Sequence, residues 1–201
     1  MRKRAVVVPG ALAAVMTAFT VLVSAQAQAP PLATAHDGQH DFDFLLGSWK
    51  IHLKRRLKPL TGSNEWVEFD GTVVCRSIWN GGAEVEEFNV DSPEKKIFIQ
   101  GLAVRLYNPK THEWSIYWAN RRNGVFDALP QVGHFTNGRG EFYGQDMTED
   151  GRPVYVRFAW SNIGSSAPHF EQAYSQDGGR TWEVNWITEQ TRVPDGTPPA
   201  H

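Results

Sequence analysis

The sequence has little of several features that define whole classes of protein. Cys75 is the sole cysteine among 201 residues, so no disulfide can form within the chain. The 20 basic and 22 acidic residues nearly cancel, and the arginines form no basic stripe, which argues against nucleic acid as a partner. Leucine-rich helical stretches are few, and long apolar runs are confined to the N-terminus, which excludes a multi-span membrane protein.

Residues 1–29 have the pattern of a secretory signal peptide. Basic residues at 2–4 precede an uncharged apolar run at 5–23, and small residues recur over 24–29, which suits cleavage near Ala29. Retention of the apolar run as an anchor is the alternative, because its length approaches the ~20 residues that span a bilayer. We therefore expect a periplasmic or secreted protein, with no stable membrane insertion after cleavage.

The rest of the chain is predicted to be one β domain with flexible ends. Residues 30–39 form a lead-in and residues 194–201 a tail, both rich in proline and without a periodic apolar face. Residues 40–193 contain about ten runs in which apolar and polar residues alternate, separated by Gly, Pro, Asn and Asp. Because the connections are short, we predict an all-β, up-and-down antiparallel β-barrel of about ten strands, with a two-sheet sandwich as the alternative.

The start of the first strand resembles the calycins, which include the lipocalins and the fatty-acid-binding proteins. Gly47-Ser48-Trp49 has their Gly-x-Trp pattern, in which the glycine lets the chain approach the barrel floor and the tryptophan closes that floor. The resemblance implies that a basic residue of the last strand covers this tryptophan, and Arg192 has that position.

A closer resemblance covers nearly the whole domain. The span from His40-Asp41-Phe42-Asp43-Phe44 through Tyr117-Trp118 to Asn185-Trp186 is similar to the DUF1579-type family of exported bacterial calycin-like proteins. It implies a barrel with a central cavity, and it implies no particular reaction or catalytic residue.

The segment Ser175-Gln176-Asp177-Gly178-Gly179-Arg180-Thr181-Trp182 resembles the Asp-box of sialidases and other β proteins. Ser175 and Asp177 are expected to bond the turn backbone, Gly179 to accept a positive φ, and Trp182 to anchor the returning strand. One copy without propeller repeats does not suit a sialidase, so we interpret the segment as structural.

Strand parity predicts a cavity with aromatic walls. If Trp49 faces inward, residues at every second position of the first strand do so too, and the apolar faces of the other strands join them. Arg55 is the charged member of this inward set, either as an anchor for a ligand carboxylate or as a residue reaching solvent at the mouth. The predicted ligand-binding residues are Arg55, Trp114, Trp118, Phe158, Trp160 and Trp186. Further expected apolar wall residues are Phe98, Leu102, Val104, Leu106 and Val184.

The preferred hypothesis is therefore binding of one small hydrophobic or aromatic molecule, without a cofactor. The alternative is an isomerase, cyclase or decarboxylase acting on a hydrophobic substrate, with Arg55 orienting a carboxylate and a Tyr or Glu moving a proton. An enzyme would suit the opposite parity, with an interior polar network of Tyr117, Arg157, Glu171 and Asn185. A third class, a partner-binding scaffold, predicts a filled interior and an exposed apolar patch.

Other polar residues receive simpler interpretations. Glu84, Glu86 and Glu87 are expected to form a solvated strand face rather than a pair of catalytic carboxylates. The histidines and aspartates at 36–43 are a candidate zinc site that we interpret as solvated, so no metal is expected. Haem would need a histidine inside the barrel, and the candidates for that position are His112, His134 and His169.

Overall fold

In the computed structural model, which describes residues 36–148 and 150–194, ten antiparallel strands follow one another around a closed barrel. Each strand pairs with its neighbours in sequence, and β1 pairs with β10 to close the ring. The strands are β1 (Gly47–Arg56), β2 (Trp66–Ile78), β3 (Ala83–Ser92), β4 (Ile97–Asn108), β5 (Glu113–Asn120), β6 (Gln131–Thr136), β7 (Arg139–Met147), β8 (Pro153–Ser161), β9 (His169–Ser175) and β10 (Glu183–Arg192). The predicted all-β, up-and-down barrel is confirmed, and the sandwich alternative is wrong.

Helical structure among the described residues is limited to three single 3₁₀ turns, Asp43–Leu45, Trp79–Gly81 and Pro93–Lys95. In the part of the chain that the structure describes, no helix is long and apolar enough to cross a membrane. The predicted signal peptide, the first residues of the lead-in and the tail after residue 194 lie outside the described residues.

Period-two alternation explains why these segments become strands. Along β1, Trp49, Ile51 and Leu53 are almost fully buried, whereas the residues between them are partly or fully exposed. Such a strand buries one apolar face only when a barrel or a second layer covers it. At the β6–β7 hairpin, Asn137 and Gly138 both have positive φ (52° and 77°), as a two-residue turn of this type requires.

One end of the barrel, here called the floor, is closed by the segment that precedes β1. Phe42 is fully buried, and its ring meets the rings of Trp114 and Trp160 edge-on with centroids 5.1 and 5.2 Å away. Leu45 is buried beside it. The opposite end, where β1 finishes and the 57–65 and 121–130 connections lie, is called the mouth.

Trp49 lies where the floor meets β1. Its indole N–H donates to the Leu45 carbonyl over 2.7 Å, and the Arg192 guanidinium stands 4.1 Å from its ring centroid. Arg192 also donates to the carbonyls of Leu46 and Phe44 over 2.6 and 2.9 Å. This is the arrangement that the calycin resemblance implies for these positions.

Gly47 has a φ of 109°, a conformation that L side chains rarely adopt. A Cβ at this position would also lie 2.9 Å from the Arg192 guanidinium. Glycine is therefore required at the start of β1 for two separate reasons.

The wall is not paired evenly. β1 and β2 pair from Gly47 to Arg56, but β5 pairs with β6 only over Trp114–Ile116. Beyond that stretch, the 121–130 connection folds back on β5 through an isolated bridge between Ala119 and Phe126. We call the short β5–β6 pairing, together with the 121–130 connection, the β5–β6 seam.

Two wall predictions are wrong. On β4, Phe98, Leu102, Val104 and Leu106 do share one face, but it is the outer face, and Phe98 is 61% exposed. On the inner face of β4, Gly101 lies under an aromatic ring, because a Cβ at that position would lie 2.0 Å from the Trp118 ring.

The second error concerns β10. Val184 pairs with Ala173 on the outer side, and a register shift between Val184 and Trp186 follows. Such a bulge lets two successive residues point to one side, and it brings Asn185 into the interior next to Trp186.

Candidate functional site

Four polar side chains meet inside the barrel near the floor: Cys75, Glu84, Glu86 and Arg105, called here the interior cluster. Strand register places them, because Cys75 is opposite Glu86 across β2–β3 and Glu84 is opposite Arg105 across β3–β4. All four are buried, with Glu84 at 0% and Arg105 at 2% exposure.

The cluster is joined by ionic hydrogen bonds. Arg105 Nη2 donates to Glu86 Oε2 over 2.6 Å, and Nη1 donates to Glu84 Oε2 over 3.5 Å. The Cys75 thiol also reaches Glu84 Oε2 at 3.5 Å. A buried ion pair is weak evidence for stability, because removing the charges from water costs about as much as their attraction returns. A contribution to stability therefore does not by itself explain why charges are buried in this barrel.

Aromatic rings enclose the guanidinium. Arg105 Cζ is 4.9 Å from the Phe42 ring centroid and 5.7 Å from that of Trp160. Trp114 and Phe142 belong to the same floor core. Cation–π attraction of this kind is strongest where water is absent, so the rings help to hold the charge in place.

Burial and the neighbouring charges set the protonation of the cluster. Burial raises the pKa of Glu84 from 4.5 to about 7, against the lowering effect of Arg105. Burial opposes the charge of Arg105, but its acidic neighbours, Glu86 first, together outweigh burial and raise the pKa of the guanidinium above its usual value. Burial raises the pKa of the Cys75 thiol well above its ordinary range, so the thiol stays neutral and is a poor nucleophile. Near neutral pH, Glu84 is thus the group that exchanges a proton.

Several buried polar atoms of the barrel lack a partner among the described residues. In the cluster these are Glu84 Oε1 and Arg105 Nε. Asn185 Nδ2 and Gln190 Oε1, both on β10, are further examples. Leaving such an atom unsatisfied costs about 1–3 kcal/mol, so these positions call for a bound group or water.

The predicted ligand-binding residues divide between two cores. Trp114, Trp160 and Phe158 belong to the floor core around Phe42. Trp118 and Trp186 pack against the second core, which is formed mainly by β1–β3. The prediction that these aromatic side chains face inward agrees with their contacts, whereas their role in binding stays a prediction.

Arg55 lies at the mouth end of β1. It is half-buried, shares the inward face of Leu53, and is opposite Val67 and Trp186 in the two neighbouring strands. The interior cluster is near the other end of the barrel, so Arg55 is not part of it.

The interior cluster corrects one expectation from the sequence. Glu84 and Glu86 are not on a solvated face, and of the three glutamates only Glu87 is exposed. The signal was present, because Glu84 and Glu86 have the same parity as Phe88 and Val90, which are core residues. No comparable pattern predicted the burial of Arg105. The apolar residues of β4 at 102, 104 and 106 lie on the other face of the strand, so that face was expected to point inward.

The alternative of an interior polar network is also wrong for three of its four residues. Arg157 lies on the outer wall with its guanidinium 5.0 Å from the Trp182 ring centroid. Glu171 accepts a bond from His169 on the outside, and the Tyr117 ring meets the Phe126 ring edge-on with the centroids 6.4 Å apart. Asn185 alone faces inward, and the bulge is the reason.

The β9–β10 turn has the hydrogen bonds expected from its sequence. Ser175 Oγ donates to Asp177 and accepts from the Gly179 N–H over 2.9 Å, and the N–H and hydroxyl of Thr181 donate to Asp177. These bonds, those from Thr181 first, hold the pKa of Asp177 well below its usual range. Gly179 has a φ of 84° and lies against the Trp182 ring. The likeness to the Asp-box stays a prediction, and the turn lies away from the interior cluster.

The candidate metal and haem residues lie outside the barrel interior. His40 Nδ1 is 3.0 Å from Asp43 Oδ2, and His36 pairs with Asp41. Among the described residues, no three acidic, His or Cys side chains are arranged to hold a metal ion. His112 and His134 are exposed, and His169 bonds Glu171 and Glu189 on the outer wall.

Two grooves lie on the outer wall. One, of about 420 Å³, runs along β3–β5 beneath the seam connection, with Leu102, Arg121 and Phe126 among its lining residues. The other, of about 270 Å³, is formed by β6 and β7 around His134 and Tyr143. Neither groove includes a residue of the interior cluster.

Exposed apolar side chains lie at both ends of the barrel. At the mouth they include Leu57, Val125, Phe126, Leu129 and Met147, and at the floor end Ile78 and Trp79. These residues give each end an apolar character that the middle of the wall mostly lacks.

A scan against models of known protein families finds no match to this chain. A search of curated proteins finds no match either. The barrel and the interior cluster therefore carry the functional argument by themselves.

Proposed function

We propose that this protein is an exported binding protein that holds one small hydrophobic or aromatic molecule inside its barrel. The observation that carries the proposal is the interior cluster, in which buried polar atoms of Glu84 and Arg105 have no partner although aromatic rings surround them. Pockets that recognise small molecules commonly combine apolar walls with a few convergent polar groups.

The apolar residues at the mouth support this reading. Apolar side chains that are each more than two-fifths exposed surround the mouth, and they include Leu57, Val125, Leu129 and Met147. An apolar rim lowers the cost of moving an apolar guest from water toward the interior.

Catalysis by the same barrel is the second candidate, and Glu84 favours it. A carboxyl group with a pKa of about 7 beside a fixed positive charge suits proton transfer to or from a bound substrate. In this version Glu84 and Arg105 take the roles that the sequence suggested for an unspecified Glu and for Arg55.

Native mass spectrometry of the protein recovered from the periplasm of a bacterial host tests binding directly. We expect an additional discrete mass that denaturation releases, and we expect Glu84→Gln to reduce its occupancy. Glu87→Gln is the matched control, because it makes the same change on the exposed face of β3. A bare wild-type protein, again bare after exposure to cell extract, would contradict the proposal.

The same sample tests export and catalysis. Cleavage near Ala29 predicts a mature mass that begins at Pro30, whereas retention in the membrane fraction at full length contradicts export with cleavage. Incubating the released compound with fresh protein separates the two functions: an unchanged mass supports binding, and a new product mass supports an enzyme.

A further inference from the structure

We propose that the interior site takes a neutral molecule of the phenol type, with an aromatic body and a hydroxyl group that donates its hydrogen to Glu84 Oε1. This inference rests on the proposed function, because it names the chemical class of the guest. It follows from which atoms of the interior cluster are already used and which are not.

The two unpartnered atoms of the cluster differ in kind. Arg105 Nε carries a hydrogen and can only donate, while Glu84 Oε1 can accept. Arg105 Nη1 and the Cys75 thiol already contact Glu84 Oε2, each at 3.5 Å, so Oε1 is the carboxyl oxygen left for a guest. A hydroxyl group satisfies Oε1, because it can donate its hydrogen to the ionised Glu84 carboxylate.

The charges of the cluster disfavour an anionic guest. Arg105 already faces two carboxyl groups, those of Glu86 at 2.6 Å and Glu84 at 3.5 Å. A ligand carboxylate would be a third acidic group around one guanidinium, and an unpaired buried charge is expensive. A neutral hydroxyl leaves the existing charge balance unchanged.

The surroundings of the cluster determine the body of the guest. The guanidinium lies against Phe42 and Trp160, and Trp114 and Phe142 complete the adjoining core. Aromatic rings favour edge-on and offset contacts with other rings, so a flat aromatic body is the apolar guest that these side chains would recognise.

Fluorine NMR titration of the full mature protein at pH 8, where Glu84 with its pKa of about 7 is mainly ionised and Oε1 accepts, tests the class with three probes of one size. 4-Fluorophenol donates and accepts, 4-fluoroanisole only accepts, and 4-fluorobenzoate is an anion. We expect 4-fluorophenol to bind about tenfold more tightly than 4-fluoroanisole, the loss expected for one hydrogen bond to a charged or strongly polar group. We expect 4-fluorobenzoate to be the weakest.

The Glu84→Gln variant sharpens the test. The amide oxygen should take the place of Oε2, which receives bonds from Arg105 and Cys75, so the amide NH₂ replaces the Oε1 acceptor with a donor. The preference for 4-fluorophenol over 4-fluoroanisole should then fall to about one, while Glu87→Gln keeps it. Near-ultraviolet circular dichroism verifies that both variants are folded.

Three results overturn the assignment. These are equal or tighter binding of 4-fluoroanisole or 4-fluorobenzoate to the wild type, a preference that persists in Glu84→Gln, and binding of none of the probes. If none binds but mass spectrometry finds another bound compound, the barrel is a binding protein for a different class. If the protein is also bare, the proposed function fails with it.

Discussion

Replacing Glu84 by Gln should change how stability depends on pH. Burial raises the pKa of Glu84 in the fold to about 7, compared with 4.5 for an exposed glutamate. That difference corresponds to about 3 kcal/mol. Since the folded pKa is the higher one, the stabilisation is fully present below pH 4.5 and is lost as the pH rises to 7. Gln is neutral throughout and has nearly the same shape, so it keeps what the wild type loses.

The measurement is urea unfolding at pH 4, 6 and 8, followed by tryptophan fluorescence. The free energy of unfolding of Glu84→Gln, minus that of the wild type, should rise by about 3 kcal/mol between pH 4 and pH 8. Glu87→Gln is the matched control, because it makes the same change on an exposed side chain of the same strand. Taking differences removes the contributions of the other titrating groups. A flat difference for Glu84→Gln would refute the reasoning, since Glu84 would then titrate as an ordinary surface carboxyl.

Three further substitutions test how the barrel is held together, each by thermal and urea unfolding. Arg192→Ala removes the cation that covers Trp49 and two hydrogen bonds to the floor, and should cost about 1–3 kcal/mol; a loss below a few tenths would contradict the role of this contact. Gly133→Ala places a Cβ 1.9 Å from a backbone carbonyl of β7 and should destabilise by at least 1–3 kcal/mol, whereas Gly164→Ala, with open space around it, should be nearly neutral. Phe42→Ala empties the floor plug and should cost about 3–5 kcal/mol, and retention of wild-type stability would show that the floor is not part of the core.

The barrel can be predicted from the sequence because two local signals indicate its strands. These signals are the alternation of apolar and polar residues and the turn residues between the strands. Trp49, Ile51 and Leu53 alternate with polar residues, and Asn137-Gly138 marks a hairpin, so the number and order of strands follow from local rules. The covering of Trp49 by Arg192 did not come from those rules; only the resemblance to a known group of barrels implied it.

The interior cluster is harder to predict from the sequence, because its three charged members contradict the simplest rule. Alternation assigns charged residues to the outside. Here the charge of Arg105 is instead balanced inside the barrel by Glu84 and Glu86, which are 21 and 19 residues away in the sequence. Such pairing is visible only when strand register is known. The β10 bulge adds a second limit, because one extra residue moves Asn185 to the other face without any glycine or proline to mark it.

The short β5–β6 seam determines where the closed wall of the barrel opens locally. Local opening begins where few backbone bonds must break, so amide hydrogens of 117–120 and 131–133 should exchange with deuterated water well before those of β1 and β2. Arg105 is opposite Ile116 in β4–β5, and Ile116 is opposite Gln131 across the seam. Each opening there brings solvent one strand away from the buried charges, so the seam offers Glu84 a sideways path for protons that bypasses both ends of the barrel.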